Sequence, residues 1–140
     1  MLVLPREMVD AVVAHARRDH PDECCGVIAG RDGAATRVFA MANAERSPTG
    51  FAFDSAEQLR VWREIDDADE EVLVVYHSHT MTEAYPSRTD VRWSANTPGV
   101  SWLLVSTRDP DAVELRSFRI DGGVVAEEPL HVVDRAVEPG

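Results

Sequence analysis

The chain has little positive charge, few cysteines and no long hydrophobic run, and each shortage disfavours a class of protein. Its 140 residues hold 14 Lys and Arg against 25 Asp and Glu, which gives a formal net charge of −11. Proteins that bind nucleic acids or anionic membrane surfaces normally present a basic face, so we predict neither partner. No apolar run approaches the roughly 20 residues that a membrane-spanning helix needs.

The only two cysteines, Cys24 and Cys25, are neighbours in the sequence. A disulfide framework cannot be built from this pair, and both are expected to be small core residues. The N-terminus, MLVLPREMVD, has neither the basic start nor the long apolar centre of a signal peptide. Together these features predict a protein of the reducing cytoplasm.

The pattern of apolar residues predicts a single domain over residues 1–140, with a tail from about residue 134 that frays. Helical spacing predicts helices over 5–19, from 54 to the acidic patch at 66–71, and from about 87 to before Pro98. Short apolar runs predict strands at 24–29, 35–42, 72–76, 100–107, 113–120 and 123–127. In the second helix we expect three side chains to face the core: Leu59, Trp62 and Ile65. This order predicts an α/β or α+β layer structure.

The stretch YHSHTMTEAYPSRTDV, residues 76–91, follows the most apolar predicted strand. If that strand continues, His77 and His79 leave the same face, because side chains two apart in a strand do so. Asp90 lies eleven residues beyond His79, and a loop could fold it back. Two imidazole nitrogens and one carboxylate oxygen are typical of catalytic zinc sites, which leave a fourth position to water. Zinc lowers the pKa of such a water to about 7.

A hydrolytic site also needs a base that moves a proton and a donor for oxyanion charge. Ser87 lies three residues before Asp90, and Glu23 precedes a strand that could lie beside 72–76. Both have ordinary alternatives, since Ser87-x-x-Asp90 also matches a helix capping box and Glu23 alone could be a surface carboxylate. The remaining histidines are predicted to be surface or helix-cap residues: His15, His20 and His131.

The combination resembles the signature of the JAMM (MPN+) zinc metalloprotease family. Glu23, then His77-Ser78-His79, then seven residues, then Ser87-x-x-Asp90 fits E…H-[ST]-H-x7-S-x-x-D at every position. The resemblance covers residues 1 to about 133. It implies the MPN core, a curved mixed β-sheet flanked by helices and similar to cytidine deaminases.

The resemblance also implies roles for these residues. His77, His79 and Asp90 would hold one Zn²⁺ per chain. Glu23 would be the general base that activates a water and then the acid that protonates the departing amine, and Ser87 would donate to the oxyanion. The amide would break with no acyl-enzyme intermediate.

Two segments, 23–26 (ECCG) and 77–90 (HSHTMTEAYPSRTD), are more narrowly similar to the Mec-type hydrolases of actinobacteria. This likeness implies hydrolysis after the C-terminal Gly-Gly of a ubiquitin-like sulfur-carrier protein ending in Gly-Gly-Cys, which releases cysteine for cysteine biosynthesis. Thr80 departs from the family, since many members have proline there. Because Thr80 is not a ligand, only the loop path is affected. Loop 43–53 is expected either to line a groove for the Gly-Gly tail or to be an ordinary surface loop.

Three alternatives stay open. One is a deubiquitinase-like JAMM peptidase with another leaving group, and a second is a metal-free MPN scaffold, although such scaffolds usually lack a ligand residue. The third is a cupin, because His77, His79 and Glu83 fit the fragment H-x-H-x3-E, although the glycines that should flank it are replaced by Glu71 and Asp90. The oligomeric state is also open, with a homodimer as one alternative.

Overall fold

A computed structural model describes residues 1–134, which form eight strands and three helices. The predicted fraying tail, apart from Asp134, lies outside these described residues. The elements in chain order are β1 (Leu2–Pro5), α1 (Arg6–Asp19), β2 (Cys25–Arg31), β3 (Ala34–Met41), α2 (Ser55–Asp67), β4 (Glu71–His79), α3 (Arg88–Ser94), β5 (Ser101–Ser106), β6 (Glu114–Asp121), β7 (Val124–Glu128) and β8 (Leu130–Val133).

Six strands form a mixed sheet in the order β3-β2-β4-β5-β6-β7. Strand β4 lies at its centre, antiparallel to β2 and parallel to β5. The parallel pair requires a crossover, and α3 lies within it. This arrangement confirms the predicted α/β layer structure with a mixed sheet flanked by helices.

The sheet is covered on both faces, which explains why β4 is apolar from Val72 to Tyr76. Val74 and Tyr76 face α1, where they pack with Val12. Val75 faces the other way and packs with Ile65 of α2. A strand buried on both sides has no need for alternation between apolar and polar residues.

The predicted strands at 24–29 and 35–42 correspond to β2 and β3, which form an antiparallel hairpin. Its turn places Asp32 and Gly33 at φ 52° and 80°, the left-handed pair that suits a two-residue hairpin turn. Cys24 and Cys25 are fully buried and free, as predicted. Their burial raises the pKa of Cys24 to about 12 and raises that of Cys25 as well.

The prediction for the buried face of α2 is partly wrong. Ile65 is buried and Trp62 is half-buried, but Leu59 is 55% exposed. The buried stripe is instead formed by Val61 and Ile65, four residues apart, and Leu59 lies about 200° around the helix from Val61. The Asp54 carboxylate caps the helix by accepting the Glu57 N–H.

Two strands at the ends of the described chain were not predicted. Leu2 and Leu4 of β1 pair with Leu130 and Val132 of β8 in a parallel two-stranded sheet. Leu4 is fully buried against the α1 side of the main sheet. The pairing therefore ties the start of α1 to the end of β8.

The prediction for His15 is wrong, because this residue is buried. Its Nδ1 lies 2.7 Å from the hydroxyl of Tyr76, and its Nε2 lies 3.1 Å from a carboxylate oxygen of Asp19. His20 is the C-cap of α1 and His131 is exposed, as predicted. None of the described helices is long and apolar enough to cross a membrane.

Candidate metal centre

Strand β4 continues through both histidines, so His77 and His79 leave the same face of the sheet, as predicted. Both side chains are buried. Ser78 points to the opposite face, where its hydroxyl accepts the N–H of Cys24 at 2.8 Å. The sheet core therefore holds both imidazoles in place.

The first turn of α3 brings Asp90 to the histidines. The Ser87 hydroxyl accepts the Asp90 N–H at 3.1 Å, and Asp90 Oδ2 accepts the Ser87 N–H at 2.9 Å. This is the predicted capping box. The capping-box and metal-site interpretations are compatible, because the cap aims the Asp90 carboxylate at the imidazoles.

Three candidate ligand atoms converge on one point. Asp90 Oδ2 lies 3.1 Å from His77 Nε2 and 3.2 Å from His79 Nε2, and the two Nε2 atoms are 3.2 Å apart. Atoms bound at 2.0–2.1 Å around a tetrahedral zinc ion lie about 3.3 Å from one another. The residues present therefore fit a zinc ion by spacing and by ligand type.

The two histidines are held in different ways. His79 Nδ1 donates to the backbone carbonyl of Glu83 at 2.9 Å, and this bond leaves the lone pair of Nε2 toward the centre. Nδ1 of His77 has no hydrogen-bond partner among the described residues. The His77 ring is instead stacked on Phe51, with centroids 4.5 Å apart and planes at 26°.

Glu23 lies beside the histidines, just before β2. Glu23, His77 and His79 each offer a ligand atom, and these atoms lie within 4.8 Å of one another. Burial raises the pKa of Glu23 to about 7, further raised by the charge of Asp90 and opposed by that of His79. A carboxyl group with such a pKa suits proton transfer near neutral pH.

The charges of the centre favour neutral His77 and ionised Asp90. Burial lowers the pKa of His77. For His79 burial acts the same way, but the hydrogen bonds to Asp90 and Glu83 outweigh it and raise the pKa. Burial opposes ionisation of Asp90 too, yet the two histidines hold its pKa well below the usual range. Asp90 is therefore an anion facing two imidazole nitrogens.

Glu23, His79, Ser87 and Asp90 line a cleft of about 190 Å³. Residues 48–51 form one wall and residues 80–82 form the other, and Trp93 lies against Phe51. The hydroxyl of Thr80 donates to the Pro48 carbonyl at 2.9 Å and so joins the two walls. Part of loop 43–53 therefore borders the candidate centre.

Comparison with known proteins gives the family of the chain. Residues 5–121 match the model for prokaryotic homologues of the JAB domain. The chain belongs to the JAMM (JAB/MPN) family. It is 58% identical over 137 residues to the CysO-cysteine peptidase of Mycobacterium tuberculosis, covering 96% of this chain and 93% of that protein. It is also 33% identical over 112 residues to the desampylase of Haloferax volcanii, covering 75% and 80%.

Solved structures share the JAMM fold of the chain. A protein from Desulfitobacterium hafniense has a TM-score of 0.85 at 33% identity, covering 97% of this chain and 95% of that one. A structure described as JAMM, a metalloprotease-like zinc site in the proteasome and signalosome, has a TM-score of 0.59 at 17% identity, covering 95% and 97%. These likenesses confirm the predicted family and fold, and the chain is a JAMM-type peptidase.

The cupin alternative is wrong for this JAMM chain. The side chain of Glu83 is exposed, as expected of a solvated loop carboxylate. The contact between Glu83 and His79 is made by the backbone carbonyl of Glu83. The helices on both faces of the sheet also differ from a pure β-barrel.

Two residues of the JAMM centre were missed from the sequence. Phe51 stacks on His77, and Asn43 is hydrogen-bonded to the backbone of Glu23. Both lie in the polar loop 43–53, where no periodicity indicates which side chains turn inward. The local signal was the apolar pair of Phe51 and Phe53 within an otherwise polar loop.

Proposed function

We propose that this protein is a zinc-dependent peptidase that hydrolyses the amide bond after the C-terminal Gly-Gly of a ubiquitin-like sulfur-carrier protein and releases cysteine. The observation that carries the proposal is the convergence of His77, His79 and Asp90 within 3.2 Å beside the buried Glu23. The substrate class is supported by the 58% identity to a CysO-cysteine peptidase. We propose that residues 1–140 act as one domain.

In this proposal His77, His79 and Asp90 hold one zinc ion. When bound, zinc supplies Lewis acidity that polarises the scissile carbonyl and makes water a nucleophile at neutral pH. The backbone carbonyl of Glu83 fixes the tautomer of His79, and Ser87 fixes the carboxylate of Asp90. These outer contacts orient the ligands before the ion arrives.

Glu23 is the general base of the proposed reaction. Its carboxylate takes a proton from the attacking water and later delivers that proton to the departing amine. The pKa of about 7 suits both steps, because the group must be a carboxylate first and an acid afterwards. Burial keeps bulk water from competing for the proton.

Ser87 stabilises the oxyanion in the proposed reaction. Its oxygen already accepts the Asp90 N–H, which leaves the hydroxyl hydrogen free to donate. The side chain is exposed at the cleft beside Asp90. A donor fixed before the reaction stabilises developing negative charge without reorganisation.

The cleft supports an extended, unbranched substrate segment. Its 48–51 wall is joined to its 80–82 wall by the hydrogen bond between Thr80 and Pro48. A Gly-Gly tail has no side chains to clash with such walls. We therefore propose that loop 43–53 lines the groove for the carrier tail.

The proposal includes a cytoplasmic location, since Cys24 and Cys25 are free and buried. A homodimer stays a second, independent hypothesis, to be tested by the mass of the protein in solution. Neither changes the chemistry proposed for the site.

Intact-mass spectrometry tests the proposed function. A sulfur-carrier protein ending in Gly-Gly-Cys is incubated with the zinc-loaded enzyme, with and without a chelator. We expect the carrier to lose the mass of one cysteine residue, and the chelator to abolish the loss. The matched control is a carrier that ends in Gly-Gly, whose mass should not change.

A lysine side chain is a second candidate leaving group, and the 33% identity to a desampylase supports it. A carrier linked through its Gly-Gly terminus to a lysine side chain tests it in the same assay. Cleavage of this conjugate without loss of cysteine from Gly-Gly-Cys would contradict the cysteine proposal and leave the peptidase chemistry intact.

A further inference from the structure

Asn43 is a polar residue, 9% exposed, that uses its whole side chain to join separate parts of the fold. Its Nδ2 donates to the carbonyls of Glu23 at 3.0 Å and Gly50 at 2.9 Å. Its Oδ1 accepts the N–H groups of Glu45 at 3.0 Å and Ala52 at 3.2 Å. Both donors and both lone pairs of the amide are therefore in use.

Because Glu23 lies outside the sheet, its backbone N–H and carbonyl depend on contacts with the loop for their hydrogen bonds. Strand β2 begins two residues later, at Cys25. The Glu23 N–H donates to the carbonyl of Ser47 at 2.8 Å, and the Glu23 carbonyl accepts from Asn43. Both backbone polar groups of Glu23 are thus bound by the segment 43–47.

The same loop continues into one wall of the cleft. Residues 48–51 line the cleft, and Thr80 binds the carbonyl of Pro48 from the opposite wall. Asn43 also forms a β-bridge with Phe53. One short loop therefore connects the backbone of Glu23 to a wall of the cleft.

We propose that Asn43 is a positioning residue, whose amide fixes the backbone of Glu23 to the cleft wall and so sets the approach of the Glu23 carboxylate to the metal centre. This inference rests on the proposed role of Glu23 as general base. Asn43 contacts no reacting atom and acts through Glu23 alone.

Asn43→Asp keeps the shape of the side chain and removes both N–H donors. The carbonyls of Glu23 and Gly50 then lose their partners and face an anion, so the Glu23 backbone shifts, while the bonds that Oδ1 accepts from Glu45 and Ala52 keep the loop in place. A base displaced by even about 1 Å loses rate roughly 10–100-fold. We expect kcat to fall by that factor, with KM and zinc content little changed.

The matched control is Asn96→Asp, which makes the same change at the exposed Asn96. This control should keep the wild-type kcat. A loss of zinc from Asn43→Asp, measured against a coloured chelator, would contradict the proposal, because the defect would then lie in the ligands.

A double-mutant cycle with Glu23→Gln separates positioning from general damage. If Asn43 acts through Glu23, Asn43→Asp has no further effect on the residual kcat of Glu23→Gln. If the two losses multiply, Asn43 acts by another route and the proposal is wrong. The charge-free variant Asn43→Ser serves the same cycle if the Asp variant does not fold.

A substrate-free measurement keeps this inference distinct from the proposed function. In protein loaded with cobalt(II), Asn43→Asp should shift the visible spectrum in the same direction as Glu23→Gln. In the double variant, the spectrum should be the same as that of Glu23→Gln alone. An unchanged spectrum in Asn43→Asp overturns the positioning role. Failure of the wild type to cleave the Gly-Gly-Cys carrier would overturn the proposed function while the spectra still decide the role of Asn43.

Discussion

Ser87 and Asp90 exchange two hydrogen bonds at the start of α3, and the Asp90 oxygen in that exchange also faces His77 and His79. Helix capping and ligand orientation are therefore one structural feature. The cap holds Asp90, a candidate ligand, in a fixed position, because its carboxylate accepts the Ser87 N–H.

The ligand set is the first prediction. Asp90→Asn removes the anionic oxygen and should lose zinc, while Glu23→Gln should keep zinc and lose turnover. Glu83→Gln should keep both, because its side chain is exposed away from the ligands. Metal content per chain, measured by elemental analysis after dialysis, checks the prediction. Loss of zinc from Glu23→Gln as complete as that from Asp90→Asn would make Glu23 a ligand instead of the base.

Ser87→Ala gives the second prediction. It should lower kcat about 10²–10³-fold, as expected for removal of one oxyanion donor, and keep zinc bound. Removal of the helix cap should also lower the free energy of unfolding by about 1 kcal/mol. Steady-state kinetics and urea unfolding measure the two effects separately.

Asp54→Ala is the matched control for Ser87, because the Asp54 side chain caps α2 by accepting the Glu57 N–H. It should cost a similar free energy of unfolding without a loss of kcat. If Ser87→Ala loses no more activity than Asp54→Ala, Ser87 is only a cap.

The stack of Phe51 on His77 gives the third prediction. His77 Nδ1 lacks a hydrogen-bond partner among the described residues, and the stacked Phe51 ring is one of the contacts that orient the imidazole. Phe51→Leu should weaken zinc binding roughly 10–100-fold, the usual cost of losing an outer contact to a ligand. Competition with a coloured chelator measures the affinity. Phe39→Leu, a similar change on β3 away from the centre, should leave the affinity unchanged.

The sequence predicted much of the convergence of the candidate ligands, because that convergence depends largely on local geometry. His77 and His79 are two apart on a strand, and Ser87 and Asp90 are three apart at a helix start, so their mutual orientation follows from backbone periodicity. The placement of Glu23 beside them depends on the antiparallel pairing of β2 with β4, a tertiary contact. Only the family resemblance predicted that Glu23 belongs to the site.

The features that escaped prediction all depend on long-range packing. Strands β1 and β8 are four residues each, and they pair across more than 120 residues of chain. Leu59 fits an apolar stripe of α2 at helical spacing, but the buried stripe of this helix is formed by Val61 and Ile65. The sequence predicts His15 as a surface or helix-cap residue, because its partner Tyr76 lies on a different element. No local sequence pattern predicts these long-range contacts.

His15 gives the last prediction, a pH dependence of stability. Burial lowers its pKa in the folded protein, with Asp19 opposing that effect, while the unfolded chain has the ordinary value of about 6.5. Below that value the unfolded state binds more protons, so the stability due to neutral His15 is complete above about pH 6.5 and is lost as the pH falls. Each pH unit in this window changes the free energy of unfolding by up to about 1.4 kcal/mol.

His15→Gln should therefore flatten the fall in stability between about pH 7.5 and pH 5.5, measured by urea unfolding of the metal-free protein. The variant is expected to be less stable overall, because the contact with the Tyr76 hydroxyl is disturbed, but its slope with pH should be smaller than that of the wild type. His131→Gln, a change at an exposed histidine, should keep the wild-type slope. Equal slopes in all three proteins would mean that His15 takes up its proton in the folded state as readily as in the unfolded chain.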